Sequence, residues 1–243
     1  MRAGRDDKGM SSINLQIPRQ AATLRLLVED RIRNAIATGH FKPGQRLIER
    51  ELCEQIGVGR TSVREALRQL EAEGLVVTIP HRGPEVSSIS YEEARQLYEV
   101  RALLEGFAGR GFAERGTDDA IAELGRAVTG FRKAADGDDR AALVAAKTHF
   151  YAVLMEGAGN VFVKQSLTTL HNRITLLRVT SMTQDGRLKD SVAEIEEIYR
   201  AIAARDGDGA EAACRRHIVK AAEVALSVLA RTAAGAGAQK SED

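Results

Sequence analysis

The sequence predicts a mainly α protein, in which an N-terminal winged helix-turn-helix of α+β structure precedes an all-α helical bundle. Two short helical patterns flank a glycine-containing turn, Gly57-Val58-Gly59. Directly after the second pattern, residues 75–87 have the composition of a short β-hairpin. From Ser90 onward the apolar spacing is helical throughout. We call residues 20–88 the head and residues 89–232 the body.

The composition is that of a soluble globular protein. Hydrophobic residues make up 44% of the 243 residues and charged residues 28%. No apolar run approaches the roughly 18 residues of a membrane span, and the charged segment Met1–Lys8 does not resemble a secretory signal. Cys53 and Cys214 lie far apart, which favours free thiols in a reducing compartment. We therefore expect a cytoplasmic protein that does not contact a membrane.

Charge differs only slightly between the two halves of the chain. Residues 1–88 carry 14 Lys and Arg against 11 Asp and Glu, a net charge of +3. Residues 89–243 carry 21 against 23, a net charge of −2. A protein with so little overall charge would have to bind nucleic acid through a local cluster of basic side chains.

The head is predicted to contain three helices and a hairpin, preceded by a flexible arm. In order, these elements are the arm (1–19), a helix (22–38), two short helices that begin near residues 49 and 60, a strand (75–79), a turn (81–84) and a returning strand (85–87). A hairpin that follows a helix-turn-helix is the wing of a winged helix.

The second short helix has two faces of opposite character. Its core-facing side carries apolar residues at the spacing i, i+3, i+4 and i+7, namely Val63, Ala66, Leu67 and Leu70. The other side carries guanidinium groups and a hydroxyl, from Arg60, Thr61, Arg64 and Arg68. These donors suit the phosphates of DNA and the edge of guanine, so the exposed side is a candidate recognition surface.

The body is predicted to contain six helices of about 17 to 25 residues, because strand patterns are lacking and turn signals recur. The turn signals lie at residues 116–117, 136–139, 157–159, 184–186 and 206–209. The alanine- and glycine-rich segment 233–243 is low in complexity and is predicted to be a disordered tail.

The run from Lys42 to Val76, which includes Arg60-Thr-Ser-Val-Arg64, resembles the winged helix of GntR-family bacterial transcription regulators. The resemblance implies DNA contacts from the arginine before the Thr-Ser pair, from both hydroxyls, from the arginine two residues after the pair, from the arginine that opens the preceding helix and from the wing. The matching residues, with the basic residues beside the wing glycine, are Arg60, Thr61, Ser62, Arg64, Arg50, His81, Arg82 and Gly83. Ser62 also fits a capping box with Glu65, which would give both residues a structural role. Relatives usually have serine or threonine where this chain has Gly59, so we expect a slightly frayed helix start and retained binding.

The body resembles the all-helical effector domain of the FadR-like branch of the same family. The likeness rests on short matches at residues 98–101, 105, 148–150, 159–160, 191–194, 201–202 and 216–218. It implies a bundle around a pocket for a small molecule, with a carboxylate metabolite as the expected effector. Such a regulator is expected to bind a palindromic operator as a homodimer, because two-fold protein symmetry matches two half-sites.

Many members of this branch hold a metal ion with an aspartate, a histidine four residues later and two further histidines on the last two helices. His149 and His217 match the first and the last histidine, but Ala145 stands at the aspartate and Ile195 at the middle histidine. Two imidazoles make a poor site, because open metal sites have about three protein ligands and closed ones about four. The sequence therefore predicts an effector pocket without a metal or another cofactor.

Three side chains are the main candidates for effector contacts. His149 and His217 lie on alanine-rich helical stripes that we interpret as facing inward, where small residues leave room for a ligand. A hydrogen-bonded core histidine is the simpler alternative for each. Arg101 could clamp a carboxylate, or it could form an i,i+4 ion pair with Glu105. Two weaker candidates share another stripe, namely His171 and Arg178.

The leading hypothesis is a ligand-responsive transcription regulator without enzymatic activity. An enzyme that uses the inward His149 and His217 is one alternative, although no nucleophile-and-base motif or phosphate loop supports it. An architectural DNA-binding protein without a ligand is the other. Stabilisation by a small molecule that is not turned over would distinguish the regulator from both.

Overall fold

The computed structural model describes residues 19–175, 177, 184 and 186–239, and it confirms the fold class. The helices are α1 (Arg19–Ala37), α2 (Glu49–Ile56), α3 (Arg60–Ala72), α4 (Tyr91–Arg115), α5 (Asp118–Ala135), α6 (Arg140–Gly157), α7 (Val161–Arg173), α8 (Arg187–Ala203) and α9 (Gly207–Gln239). The strands are β1 (Val76–Ile79) and β2 (Gly83–Val86). The predicted arm lies outside the described residues, except for Arg19, which begins α1.

The core of the head is formed by the apolar faces of α1 and α3, which pack against each other. The four α3 residues predicted to face the core, Val63, Ala66, Leu67 and Leu70, are all buried. Apolar residues of α1, α2 and the wing close the same core, among them Ile32, Ile36, Leu52 and Val86. Helical spacing alone therefore determined which side of α3 remains free for a partner.

The turn between α2 and α3 and the wing that follows α3 both depend on backbone geometry. Gly57 has a left-handed conformation (φ 76°), and its N–H donates to the carbonyl of Cys53, which ends α2. In the wing, the antiparallel register places Val76 opposite Val86 and Ile79 opposite Gly83. The wing tip is therefore a loop of three residues, 80–82.

The body is a helical bundle. α4 packs against α9, α6, α8 and α7, while α5 packs against α6 and α8. Side chains cap the N-termini of α4 to α7, namely those of Ser90, Thr117, Asp139 and Asn160. Within the described part of the chain, no helix is both long and apolar enough to cross a membrane.

Two features of the body differ from the prediction. α7 has 13 residues and α9 has 33, so both fall outside the predicted range of helix lengths. The tail predicted to be disordered from residue 233 is helical as far as Gln239, because α9 continues through it. Alanine has the highest helix propensity of all residues, which favours extension of α9 through this alanine-rich segment. Residues 240–243 lie outside the described residues.

Candidate functional site

The exposed side of α3 carries side chains that were predicted to contact DNA. Arg60, Thr61 and Arg64 are exposed, and Ser62 is half-buried within the first turn. Arg50 of α2 is also exposed. On α3 the arginines lie opposite the buried stripe, so a partner could contact them without disturbing the core of the head.

The first turn of α3 begins without a side-chain cap. Gly59 is the N-cap, and no side chain accepts a hydrogen bond from the backbone there. The capping box considered for Ser62 and Glu65 is therefore wrong, since Ser62 lies inside the helix. A helix N-terminus carries partial positive charge and unpaired N–H groups, both of which favour a phosphate.

Arg64 is positioned by one ion pair across the helix-turn-helix. Its Nε donates to Oε2 of Glu49 at 2.8 Å. The two side chains are 58% and 31% exposed, and ion pairs of this exposure are weak in water. A DNA phosphate or base can therefore compete with Glu49 for the guanidinium.

The wing tip combines an unusual backbone with exposed basic side chains. His81 (φ 64°) and Gly83 (φ 88°) both have left-handed conformations, which glycine adopts without steric cost. His81 and Arg82 are exposed. The Arg82 Nε lies 3.3 Å from Oε1 of the buried Glu85, so the base of the wing orients this arginine.

The interior of the body contains a group of polar side chains that we call the polar cluster. Its members are Arg101, Glu105, Lys147, Tyr151, His171, Arg187, Ser191, Glu194 and His217, and none is more than 7% exposed. They come from α4, α6, α7, α8 and α9. Charged groups buried to this degree are tolerated only when they are paired and hydrogen-bonded, so the contacts within the cluster decide what it can bind.

Arg101, Glu105 and His171 form one part of the polar cluster. Glu105 Oε1 accepts hydrogen bonds from Arg101 Nε at 2.7 Å and from His171 Nε2 at 3.0 Å. Burial alone would raise the pKa of Glu105, but the charge of Arg101 and the interaction with His171 outweigh it and lower the pKa to about 2. Arg101 thus makes the i,i+4 ion pair that was one of its two expected roles. Its Nη2 lies 2.6 Å from the same oxygen without the angle of a hydrogen bond.

Arg187, Glu194 and His217 form the second part. Arg187 donates to both oxygens of Glu194 at 2.9 Å, and His217 Nδ1 donates to Oε2 at 2.6 Å. Burial would raise the pKa of Glu194, but the hydrogen bonds from His217 and Arg187 lower it to about 2. Burial and the nearby Lys147 lower the pKa of His217 to about 4. The imidazole is therefore neutral near pH 7, with Nδ1 protonated and Nε2 as an acceptor.

Lys147 and Tyr151 lie four residues apart on α6 and face His217. The Tyr151 hydroxyl lies 3.0 Å from His217 Nε2 and donates to it. The Lys147 Nζ donates to Ser191 Oγ at 2.6 Å and lies 3.5 Å from His217 Nε2. It also lies 4.7 Å from the centre of the Phe131 ring, within the range of a cation–π contact.

His149 does not belong to the polar cluster, so the prediction that it faces inward beside His217 was wrong. Its side chain is 53% exposed, and Nε2 lies 3.2 Å from Oε1 of Glu123 on α5. The inward face of α6 is instead marked by large apolar residues, namely Leu143, Phe150 and Leu154, all of which are buried. Ala142 and Ala145 are exposed. Sequence reasoning missed Lys147 and Tyr151 because it followed the alanines, and the large apolar residues would have indicated the correct face.

A cavity of about 900 Å³ lies between α1 of the head and the helices α6 and α7 of the body. Asn34 and Thr38 line it on the side of α1, and His149 lines it on the side of α6. Tyr151 and His171 belong both to the cavity wall and to the polar cluster. A molecule in this cavity would therefore contact the head and the polar cluster together. Arg178, a weaker candidate from the sequence, lies outside the described residues.

The residues around His217 do not fit the metal site that the family resemblance implies. The i,i+4 pair that faces His217 is a lysine and a tyrosine, whereas the family resemblance implies an aspartate and a histidine. The correspondence drawn through Ala145 and His149 was thus two residues out of register. Ile195 packs in the apolar core. Within the described residues, no three His, Cys, Asp or Glu side chains are arranged to hold a metal ion.

A winged helix-turn-helix with an exposed basic recognition helix, joined to a helical body with a buried polar cluster, defines a DNA-binding regulator. Residues 24–86 match the family described as bacterial regulatory proteins, gntR family, and residues 96–220 match the FCD domain. The chain therefore belongs to the GntR family of bacterial transcriptional regulators, with an FCD domain as its body. It is a transcription regulator and not an enzyme.

Individual relatives agree with this assignment. The chain is 30% identical over 197 residues to the "Probable D-xylose utilization operon transcriptional repressor" of Paenarthrobacter nicotinovorans, an alignment that covers 81% of this chain and 86% of that protein. It is 28% identical over 215 residues to the Glc operon transcriptional activator of Escherichia coli K12, covering 79% and 85%. A GntR regulator from Rhodococcus sp. RHA1 has a similar structure, with a TM-score of 0.72, 24% identity and coverage of 84% and 98%. For E. coli McbR/YncC the TM-score is 0.71, the identity 22% and the coverage 86% and 98%. At these identities the two structures support the fold alone.

Proposed function

We propose that the protein is an effector-responsive regulator that binds a palindromic operator as a homodimer and acts in the cytoplasm. The observation that carries this proposal is the exposed basic side of α3 beside a basic wing. Arg60 and Arg64 stand on the exposed side, while the opposite side of the same helix is fully used for packing. An arginine that is free of the core in this position is suited to a bidentate contact with guanine.

The contacts with DNA divide into two kinds. Arg60, Thr61, Ser62 and Arg64, at the start of α3, would enter the major groove, and Arg50 would reach the adjacent phosphates. His81, Arg82 and Gly83 of the wing would follow the neighbouring minor groove. The first group carries sequence specificity, whereas the wing adds affinity that depends on salt concentration more than on sequence.

An apolar stripe on α4 supports dimerisation through the body. Val100, Leu103 and Phe107 recur at helical spacing and are 46%, 55% and 46% exposed. Large apolar side chains clustered on a surface typically mark an interface. A second copy of the chain could bury the same stripe against itself around a two-fold axis, which would orient two heads toward two half-sites.

The effector would bind in the body, and we expect a small carboxylate. The cavity between α1, α6 and α7 is large enough for a metabolite and reaches the polar cluster at Tyr151 and His171. Arg101 and His217 contribute to the polar cluster behind this wall, whereas His149 would contact a ligand only at the cavity's own surface. A ligand in this position would favour one placement of the head over another through its contacts with α1.

Selection of DNA from a random duplex library by the full-length protein tests the proposal. The expected result is a two-fold symmetric site, bound with a stoichiometry of two chains per duplex in light scattering. Enrichment of a single asymmetric half-site by a monomeric protein would contradict the homodimer. Binding without any sequence preference would favour the architectural alternative.

A further inference from the structure

The ion pair between Arg64 and Glu49 uses one edge of the guanidinium group and leaves the end of the group available. Glu49 opens α2, and its Oε2 accepts a hydrogen bond from Arg64 Nε at 2.8 Å. Within the described residues, Nη1 and Nη2 of Arg64 have no hydrogen-bond partner. These two groups form a fork that can bind O6 and N7 of guanine. A guanine could therefore bind Arg64 while Glu49 keeps Nε.

Of the three arginines on α2 and α3 that are predicted to contact DNA, only Arg64 is held in this way in the part of the chain that the structure describes. Arg50 and Arg60 are exposed, and neither forms an ion pair or a side-chain hydrogen bond with another described residue. A long cationic side chain without a partner samples many rotamers, and ordering it on binding costs free energy. Arg64 is therefore the arginine whose orientation is set before DNA binds.

Glu49 is well placed to hold Arg64, although its charge does not favour DNA binding. It lies in the first turn of α2, where the positive end of the helix dipole favours a carboxylate. The other carboxylate of the same cleft, that of Glu71, instead accepts from the backbone N–H of Thr78 at 2.9 Å. A carboxylate beside the recognition helix repels the phosphates of DNA of any sequence. A benefit from Glu49 must therefore come from the orientation of Arg64.

We propose that Glu49 is a positioning residue for base recognition, which holds Arg64 Nε and directs the Nη1 and Nη2 groups at a guanine of the operator. This proposal rests on the proposed function for the existence of a specific operator, and it names the residue that makes the arginine selective. Glu49 should increase discrimination between bases while it decreases affinity for DNA in general. A carboxylate that only stabilised the fold, or only added negative charge, would not produce these opposite effects.

The test measures discrimination by fluorescence anisotropy with full-length protein. Discrimination is the ratio of the affinities for the selected operator and for a duplex that lacks the guanine–cytosine pair that Arg64→Ala no longer distinguishes. Glu49→Ala is expected to reduce this ratio on the order of three- to tenfold, as for the cost of ordering one long side chain on binding. Its affinity for the changed duplex is expected to be equal to or higher than that of the wild type. Glu49→Gln keeps a neutral acceptor for Nε and should retain more of the discrimination, which also provides a readout if Glu49→Ala does not fold.

Two controls isolate the contact with Arg64 from the charge of Glu49. Glu51→Ala removes another carboxylate from the first turn of α2, one that pairs with no described residue, and should leave discrimination unchanged. In an Arg64→Ala background, Glu49→Ala should have no further effect on discrimination. Unchanged discrimination in Glu49→Ala, or an equal loss in Glu51→Ala, would overturn the proposal. A further loss in the Arg64→Ala background would also overturn it, because Glu49 would then contact a base itself.

NMR of the arginine Nε–H groups, in protein with isotope-labelled arginine, tests whether the pair persists on DNA. The signal that Arg64→Lys removes should shift in Glu49→Ala and should remain in the wild type when the operator is added. Its loss on addition of the operator would mean that DNA displaces Glu49, and would overturn the proposal. Failure of the wild type to prefer any sequence would reject the proposed function and this inference together, whereas a preference that is fully kept in Glu49→Ala would reject the inference alone.

Discussion

The Arg64→Ala substitution tests whether the exposed side of α3 recognises DNA. Arg64 lies in the first turns of α3, opposite the buried stripe of that helix. Its one ion pair joins it to Glu49 at 2.8 Å. The substitution therefore removes a guanidinium from the surface and leaves the packing of the head intact.

The expected effects on stability and on DNA affinity differ in size. The Arg64–Glu49 pair is between two partly exposed side chains, so its loss should cost at most about 1 kcal/mol of unfolding free energy. A bidentate contact between arginine and guanine is worth about 1–3 kcal/mol of discrimination between bases. Operator affinity should therefore fall by roughly 5- to 150-fold, while the unfolding temperature changes by no more than a few degrees.

The assay is fluorescence anisotropy with the selected operator and with a duplex in which one half-site base pair is changed. Arg126→Ala is the matched control, because Arg126 is also exposed (67%) and also makes one ion pair, with Glu123, but lies in the body. Arg82→Ala at the wing tip is expected to weaken binding to both duplexes equally and to reduce the dependence of affinity on salt. Arg64→Ala should instead lose discrimination between them.

Wild-type operator affinity in Arg64→Ala would refute the assignment of α3 as the recognition helix. A loss of affinity accompanied by a large drop in unfolding temperature would also count against it, because the arginine would then act through the fold. An equal loss in Arg126→Ala would indicate a general effect of charge.

Three further predictions concern the body. Leu103→Glu is expected to shift the dimer toward monomer in sedimentation equilibrium, whereas Leu27→Glu, at a similarly exposed position (57%) on α1, should not; the reverse result would place the interface in the head. Because the pKa of His217 is lowered from 6.5 to about 4, the unfolded chain binds a proton that the folded chain resists, so unfolding free energy should fall by on the order of 3 kcal/mol from pH 6.5 to pH 4. In urea unfolding, His217→Gln should lack this loss of unfolding free energy. It should keep the steeper loss below pH 4.5 that the buried Glu105 and Glu194 cause, because the pKa of each is lowered to about 2. Lys147→Asp combined with Tyr151→His should create a site that retains zinc or nickel after dialysis, measured by elemental analysis; equal metal in the wild type would contradict the conclusion that the residues around His217 do not fit a metal ion.

The head could be predicted in detail because three of its determinants are local. Period-3.6 spacing identified the buried residues of α3 without knowledge of their partners, and Gly57 needed only its own backbone conformation to end α2. The β-branched segment and its turn likewise predicted the wing. The exposed side of α3 followed by elimination, since residues that are not used for packing remain on the surface.

The polar cluster could not be predicted in the same way, because its partners are far apart in sequence. Glu105 meets His171 and Lys147 meets Ser191, on helices whose relative placement is set by the whole bundle. On α6 the error had a definite physical origin. An alanine side chain can lie on either the buried or the exposed face of a helix at little cost in free energy, so a stripe of alanines does not indicate which face is buried. An aspartate introduced at the exposed Ala145 would accordingly point away from His217.

The position of the cavity provides a physical link between the polar cluster and the recognition helix. Asn34 of α1 and Thr38, which directly follows α1, line one wall, while Tyr151 and His171 form part of the other. α1 in turn packs directly against α3, so the head cannot move relative to the body without changing the shape of this cavity. A ligand in this cavity that accepts a hydrogen bond from Tyr151 would compete with His217 for that hydroxyl and thereby move a side chain on which the shape of the cavity depends. A coupling of about 1–3 kcal/mol between two sites is typical of allosteric proteins, and the rearrangement of one buried hydrogen bond is of the same order.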